Sequence, residues 1–409
     1  MLKAVFKNSS YLLVSQLFVK VFAFAYAIFL AGNIGASDFG TYSAALSIFG
    51  LMSLFSDLGI NRVLTRDIAR DESELTKLFS TAMLLRALSA AVSFLALTIF
   101  FYFTDPSSLR FTLTTLALLS LVPQSIALSI DAILIGLKKI SLSALGFFLF
   151  NMISFIVGSI LIFLGYGVYG AVTAFLTGQV FYAIFLVYTL SLNHKISFKP
   201  FDLSLAKTLL MKSWPYGVLS AIGFASFRLD TVILSYTRGG VETGIYSLAY
   251  RFLEAATIVP VAFGTVLYPV FSEHAEHKSN TKKLFRNSLL FGFLAGTGIL
   301  IAMNLVIPWF LNRFLPESFF GSSSALIILT FAIPFIFMHI PMGQLLLSRQ
   351  NLLKKTLLVY LFIFLVNLIL MLTIIPIYGF IGAAWITVIV EALTFVSFYL
   401  YINTQVLKN

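Results

Sequence analysis

The chain has 409 residues, 59% of them hydrophobic and 11% charged, with a mean hydropathy of +0.99. Such values exclude a soluble enzyme and predict an all-α integral membrane protein. The formal charge of +11 does not point to nucleic acid, because Lys and Arg are scattered over short loops without a basic stripe, and the absence of Cys excludes disulfide and thiolate chemistry.

About twenty apolar residues make a helix long enough to cross a bilayer. On that rule twelve segments are predicted, at 10–34, 40–61, 78–103, 109–136, 140–164, 168–192, 213–237, 243–270, 286–312, 322–347, 354–375 and 380–403. The first apolar run, after Lys7, is too long for a cleaved signal peptide and reads as the first span. One set of loops carries Arg62, Arg66, Arg70, Lys138, Lys139, Lys282, Lys283 and many more. The opposite set carries only Arg110, Arg238 and Arg313, which predicts that both termini are cytoplasmic. The polar stretch 196–212, with Lys199-Pro200 near its start, divides a predicted N-terminal lobe, 1–195, from a C-terminal lobe, 213–409.

The two halves repeat one another. Gly40-Thr41-Tyr42-Ser43 before the second segment recurs as Gly244-Ile245-Tyr246-Ser247 before the eighth, 204 residues later, and Asp38 likewise meets Glu242. Tyr166-Gly167 and Gly170-Ala171 recur as Tyr378-Gly379 and Gly382-Ala383, offset by 212. An even number of segments per copy gives both copies one topology, with a central cavity between two six-helix lobes as the simplest geometry. Pro123, Pro260, Pro269, Pro308, Pro334 and Pro341 each remove a backbone donor and predict bends.

Charges inside the segments point to function. Arg228, Asp230, Arg251 and Glu254 lie well inside segments 7 and 8, where together they cost on the order of 10 kcal/mol on insertion scales. Internal salt bridges that fix helix register are one reading; a wet, charge-lined cavity that receives an anionic substrate is the sharper one. Arg228 and Arg251 fall at a common depth, about 12 to 14 Å below the outer surface by helical rise, and could clamp phosphate or carboxylate. Arg251 and Glu254, three apart, could also pair locally. Lys20, near the middle of segment 1, is too deep to reach an interface and is read as facing the cavity. Asp57 near the end of segment 2 reads as a local ion pair, and Arg86, two turns into segment 3, as a side chain that snorkels to the interface. Glu391, Thr387 and Asn367, with Asp230, form a candidate Na⁺ or H⁺ site, or else a hydrogen-bonded cluster joining helices. His339 reads as a satisfied interhelical histidine. His274 and His277 lack the spacing of a helical metal site, and with no nucleophile elbow or phosphate-cradling glycine loop the chain reads as a non-enzyme without a resident cofactor or metal.

The run Leu30 to Tyr42, followed by Asp57-Leu58-Gly59-Ile60-Asn61-Arg62 and Thr65-Arg66, resembles the N-terminal signature of polysaccharide-biosynthesis flippases of the Wzx type. Gly244 to Arg251, Leu267 to Ser272 and Tyr378 to Ala383 resemble its second half, so the likeness covers essentially the whole chain. That resemblance implies the superfamily of multidrug/oligosaccharidyl-lipid/polysaccharide exporters, shared with MATE and MurJ. It implies twelve transmembrane helices in two pseudo-symmetric lobes around a central V-shaped cavity lined chiefly by segments 1, 2, 7 and 8. The implied activity is alternating-access translocation of a polyprenyl-pyrophosphate-linked oligosaccharide across a prokaryotic plasma membrane, by a monomer associated with membrane lipid and polysaccharide-assembly proteins. Lys20, Arg228, Arg251 and Glu254 would bind the substrate; Asp230, Asn367, Thr387 and Glu391 would couple the cycle to Na⁺ or H⁺. The rival is a MATE-like cation-coupled exporter of small organic compounds.

Overall fold

The computed structural model describes residues 2–72, 75–105, 108–193, 201–273, 278–349 and 352–407, with side chains from Val21 onward except at 104, 193, 278, 279, 312, 353 and 354. Apart from 3₁₀ turns such as Glu317–Phe319, the elements are α-helices: α1 (Leu2–Asp57), α2 (Ile60–Arg70), α3 (Leu75–Thr104), α4 (Leu109–Leu118), α5 (Leu121–Gly136), α6 (Ile140–Phe163) and α7 (Gly167–Asn193). They continue with α8 (Leu203–Thr237), α9 (Gly239–Ala256), α10 (Ile258–Glu273), α11 (Lys278–Phe314), α12 (Gly321–Thr330), α13 (Ile333–Leu347) and α14 (Leu353–Gln405). Among the described residues nine stretches are long and apolar enough to cross a membrane, and α12 with α13, bent by 47°, would make a tenth. Two of the nine are broken in the middle: α1 at Gly35 (φ 77°) and α14 at Gly379 (φ 58°), conformations that glycine adopts without a Cβ penalty. Each side of those breaks corresponds to one predicted segment, consistent with twelve spans.

Three of the prolines place further breaks. Pro123, Pro260 and Pro334 each stand in the first turn of a new helix, at the starts of α5, α10 and α13, where a missing N–H costs nothing. Pro269, Pro308 and Pro341 lie instead within continuous helices, as does Pro215, while Pro376 stands three residues before the break at Gly379.

The chain divides into two compact units, one of residues 1–34 and 41–228 and the other of 35–40 and 229–409. In the first, the apolar face of the amphipathic helix α2 (Ile60, Val63, Leu64) packs with Phe79 of α3, Ile133 of α5 and Leu186 of α7. A left-handed turn at Leu58-Gly59 separates α1 from α2. A Cβ on Gly59 would overlap the Ser213 carbonyl and the Gly217 nitrogen of α8, so only glycine permits this approach. In the second unit, Phe271 of α10, Phe285 of α11, Met342 and Leu346 of α13 and Phe398 of α14 form the core.

The repeated glycines meet inside the second unit. A Cβ on Gly40 would overlap the Gly240 carbonyl, and one on Gly244 would overlap the Ala36 carbonyl, so the recurring motif serves a backbone-on-backbone contact. Glu242, the counterpart of Asp38, accepts from the N–H of Phe380 at 3.1 Å and pairs with Arg238 at 3.4 Å. Arg238 in turn donates to the Ile377 carbonyl at 3.3 Å, so the two side chains clasp the break at Gly379.

Candidate functional site

The membrane-embedded polar residues fall into discrete clusters. Asp230, near the end of α8, is 3% exposed, so its carboxylate needs several donors in place of water. The backbone N–H of Thr231 supplies one at 2.6 Å, the Thr231 hydroxyl a second at 3.2 Å, and the Tyr246 hydroxyl of α9 a third. Tyr246, fully buried, also lies 3.2 Å from the Thr387 hydroxyl of α14. Thr387 keeps a bond to the Ala383 carbonyl, at 3.2 Å. Tyr246 therefore joins three helices through one phenol.

Glu391, one turn beyond Thr387, has a different partner. Its Oε2 lies 2.6 Å from Nε2 of His339 on α13, with the two side chains 11% and 16% exposed. Of the four residues grouped as one coupling set, Asp230 joins Thr387 through Tyr246, Glu391 joins His339, and Asn367 is buried on the first half of α14. Neither Tyr246 nor His339 stood in the predicted set. His339 was legible as a satisfied interhelical histidine but not as the partner of Glu391.

Arg251 and Glu254 form an ion pair of 3.0 Å on one face of α9, as their three-residue spacing allows, and remain 26% and 33% exposed. Arg228 is half-buried and is the last residue of the first unit, whereas Arg251 and Glu254 belong to the second. The side chain of Lys20 is not described, and His274, His277 and residues 196–200 of the predicted linker lie outside the described residues.

One expectation fails outright. Arg86 does not reach toward an interface: it is 1% exposed, donates to Oδ1 of Asn61 and lies 3.5 Å from Asp57. The break at Gly59 turns α2 away from the line of α1 and brings Asn61 within reach of α3. Asp57, 18% exposed, also accepts from the N–H of Asn61 at 3.4 Å. A second buried cluster in the same unit was passed over by the sequence: Asp131 of α5 accepts from Ser143 of α6 and from Tyr182 of α7.

Residues 5–275 match the protein family described as Polysaccharide biosynthesis protein. The chain is 26% identical over 372 residues, 88% of its own length and 76% of the relative's, to the probable flippase AglR of Haloferax volcanii. Its fold is similar to that of the lipid II flippase MurJ in an inward closed conformation, with a TM-score of 0.77 and 17% identity over 95% of this chain and 87% of that one. An inward-facing multidrug resistance MATE family transporter of the MOP superfamily aligns at a TM-score of 0.70 with 17% identity, over 94% and 95%.

Proposed function

From a chain that belongs to the polysaccharide biosynthesis protein family and has the fold of the MOP superfamily, we propose a flippase that moves a polyprenyl-pyrophosphate-linked oligosaccharide from the cytoplasmic to the outer leaflet by alternating access. The Arg251–Glu254 pair carries most of the weight. Both side chains are a quarter to a third exposed within an apolar span, and charges left open to hydrocarbon cost several kcal/mol each. They therefore face water and substrate rather than lipid tails. Lys20, Arg228 and Arg251 each attract the anionic substrate, and Glu254 holds the Arg251 guanidinium in place until an anion replaces it. The polyprenyl chain stays in the bilayer. Asp230, Asn367, Thr387 and Glu391 couple the cycle to a cation, Na⁺ or H⁺.

Reconstitution in proteoliposomes tests this. Replacing Arg228 or Arg251 by Ala lowers the flipping rate of a polyprenyl-pyrophosphate oligosaccharide, and the double variant lowers it further; a wild-type rate in the double variant would end the assignment. The likeness to MATE transporters favours a second reading, cation-coupled export of small organic compounds through the same carboxylates. A deletion strain that loses drug efflux but keeps its surface glycan selects that alternative.

A further inference from the structure

The cation coupling proposed above is assigned there to a set of oxygen-bearing residues, and the structure divides that set. Asp230 already accepts from three donors within its own cluster. Glu391 is held by a nitrogen instead, Nε2 of His339, at 2.6 Å. We propose that His339 and Glu391 form a proton-carrying site, distinct from the Asp230 cluster, which makes H⁺ the ion bound and released during the transport cycle. The proposal rests on the chain being a coupled transporter.

The chemistry of the pair selects the proton. A hard alkali cation takes carboxylate, carbonyl and water oxygens, and an imidazole nitrogen facing the carboxylate offers it nothing comparable. Histidine, by contrast, changes charge near neutral pH. With one proton bound beyond those of neutral imidazole and carboxylate, the pair carries no net charge. On release, the proton passes to water, a net charge of minus one remains, and rebinding from water on the other side restores the neutral pair. An apolar span accommodates the neutral form when closed, and the charged form only when water enters. Proton release is thereby tied to hydration of the site, as alternating access requires.

Among the described residues, few titratable groups face the pair. On the first half of α14, Tyr360 is the titratable group whose field reaches Glu391, and the Phe398 ring stands edge-on to His339 with centroids 6.4 Å apart. Helix α10 meets α13 through Gly264, which faces Ile340 and Gln344, and α11 through Gly292 and Gly296, which face Phe337 and Pro334. The titratable groups described on those two helices, Tyr268, Glu273, Lys282, Lys283, Arg286 and Arg313, are exposed. On α9, Tyr246 is bonded to Asp230 and Arg251 to Glu254, and α12 (GSSSALIILT) has no titratable side chain.

Two measurements on the full chain decide the matter. In lipid nanodiscs, ¹⁵N-histidine spectra contain one signal that disappears in H339Q; it is expected to change with pH and to be altered in E391Q. A signal that pH leaves unchanged, or one indifferent to E391Q, overturns the proposal without reference to transport. In proteoliposomes, flipping of a fluorescent undecaprenyl-pyrophosphate disaccharide is expected to respond to an imposed pH gradient and not to a Na⁺ gradient, and H339Q, E391Q and the double amide variant lose about tenfold of that response. The double variant, whose two amides can still bond to each other, separates loss of the proton from loss of the fold. A pH response retained in all three variants refutes the site. Failure of the wild type to move the disaccharide lipid counts against the flippase reading, and the histidine titration then decides the proton site by itself.

Discussion

Substituting Tyr246 by Phe removes one oxygen and almost nothing else. The ring stays packed beside Tyr250, with centroids 5.5 Å apart, so no cavity opens. Asp230 keeps the Thr231 N–H at 2.6 Å and the Thr231 hydroxyl at 3.2 Å, and Thr387 keeps the Ala383 carbonyl. What is lost is the phenol's bond to a buried carboxylate and its 3.2 Å contact with the Thr387 hydroxyl. Hydrogen bonds to charged groups are worth about 1.5–3 kcal/mol. Neutral side-chain bonds between membrane helices average only about 0.6 kcal/mol and reach about 1.7. The difference makes the measurement diagnostic. Reversible unfolding in mixed micelles, followed by tryptophan fluorescence for the wild type, Y246F, D230N and the double variant, yields the coupling energy directly. A coupling of about 2 kcal/mol or more identifies Asp230 as an ionised acceptor held by Tyr246. A coupling near zero, with Y246F as stable as the wild type, means that the phenol and carboxylate are not bonded and that the three-helix junction is wrong.

Two further outcomes follow from close packing. Replacing Arg86 by Met strands Asp57 and Asn61 and is expected to cost about 3–5 kcal/mol in the same unfolding assay, with part recovered when Asp57 becomes Asn; a loss below about 1 kcal/mol would mean that Arg86 is solvated. Ala at Gly40 or Gly244 drives a methyl into a facing carbonyl and is expected to destabilise by about 1–3 kcal/mol. Ala at Gly223 or Gly298, where a Cβ meets nothing within 4 Å, is expected to gain about 0.5–1 kcal/mol through helix propensity. Equal effects at all four positions would contradict the crossing.

What the sequence revealed and what it hid differ in kind. The spans, the breaks at Gly35 and Gly379 and the paired glycines were legible because each depends on residues near one another in the chain, or on a repeat that can be read by eye. Arg251 with Glu254 was legible for the same reason, three residues on one helix. Arg86 was not: two turns from a helix end, its long stem could equally snorkel, and only the turn at Gly59 puts Asn61 beside it. Glu391 and His339 are 52 residues apart and meet through the packing of α13 on α14, which no local pattern encodes. Tyr246 was visible only as half of a repeated motif, since a tyrosine in an apolar run carries no sign of what its hydroxyl will meet.

The repeat nevertheless helps to explain why the carboxylates of Asp230 and Glu391 occur in one copy only. Applying the offset of 204, Asp230 and Tyr246 correspond to Tyr26 and Tyr42; applying that of 212, Glu391 corresponds to Gln179. In the first unit those three residues are buried and uncharged. A duplicated scaffold supplies the same positions twice, and a carboxylate in hydrocarbon is tolerated only where partners exist to hold it. The second copy has those partners, Tyr246 and Thr231 for Asp230 and His339 for Glu391, and two of its acidic side chains follow from them. Thr387 and Glu391 are one turn apart on a single helix, so a shift of α14 along its axis by a fraction of that turn would break the bond to Tyr246 and the bond to His339 together. If the proton site proposed above is right, proton release and that helix movement would be parts of one event; the corresponding positions of the first unit, Tyr26, Tyr42 and Gln179, carry no charge.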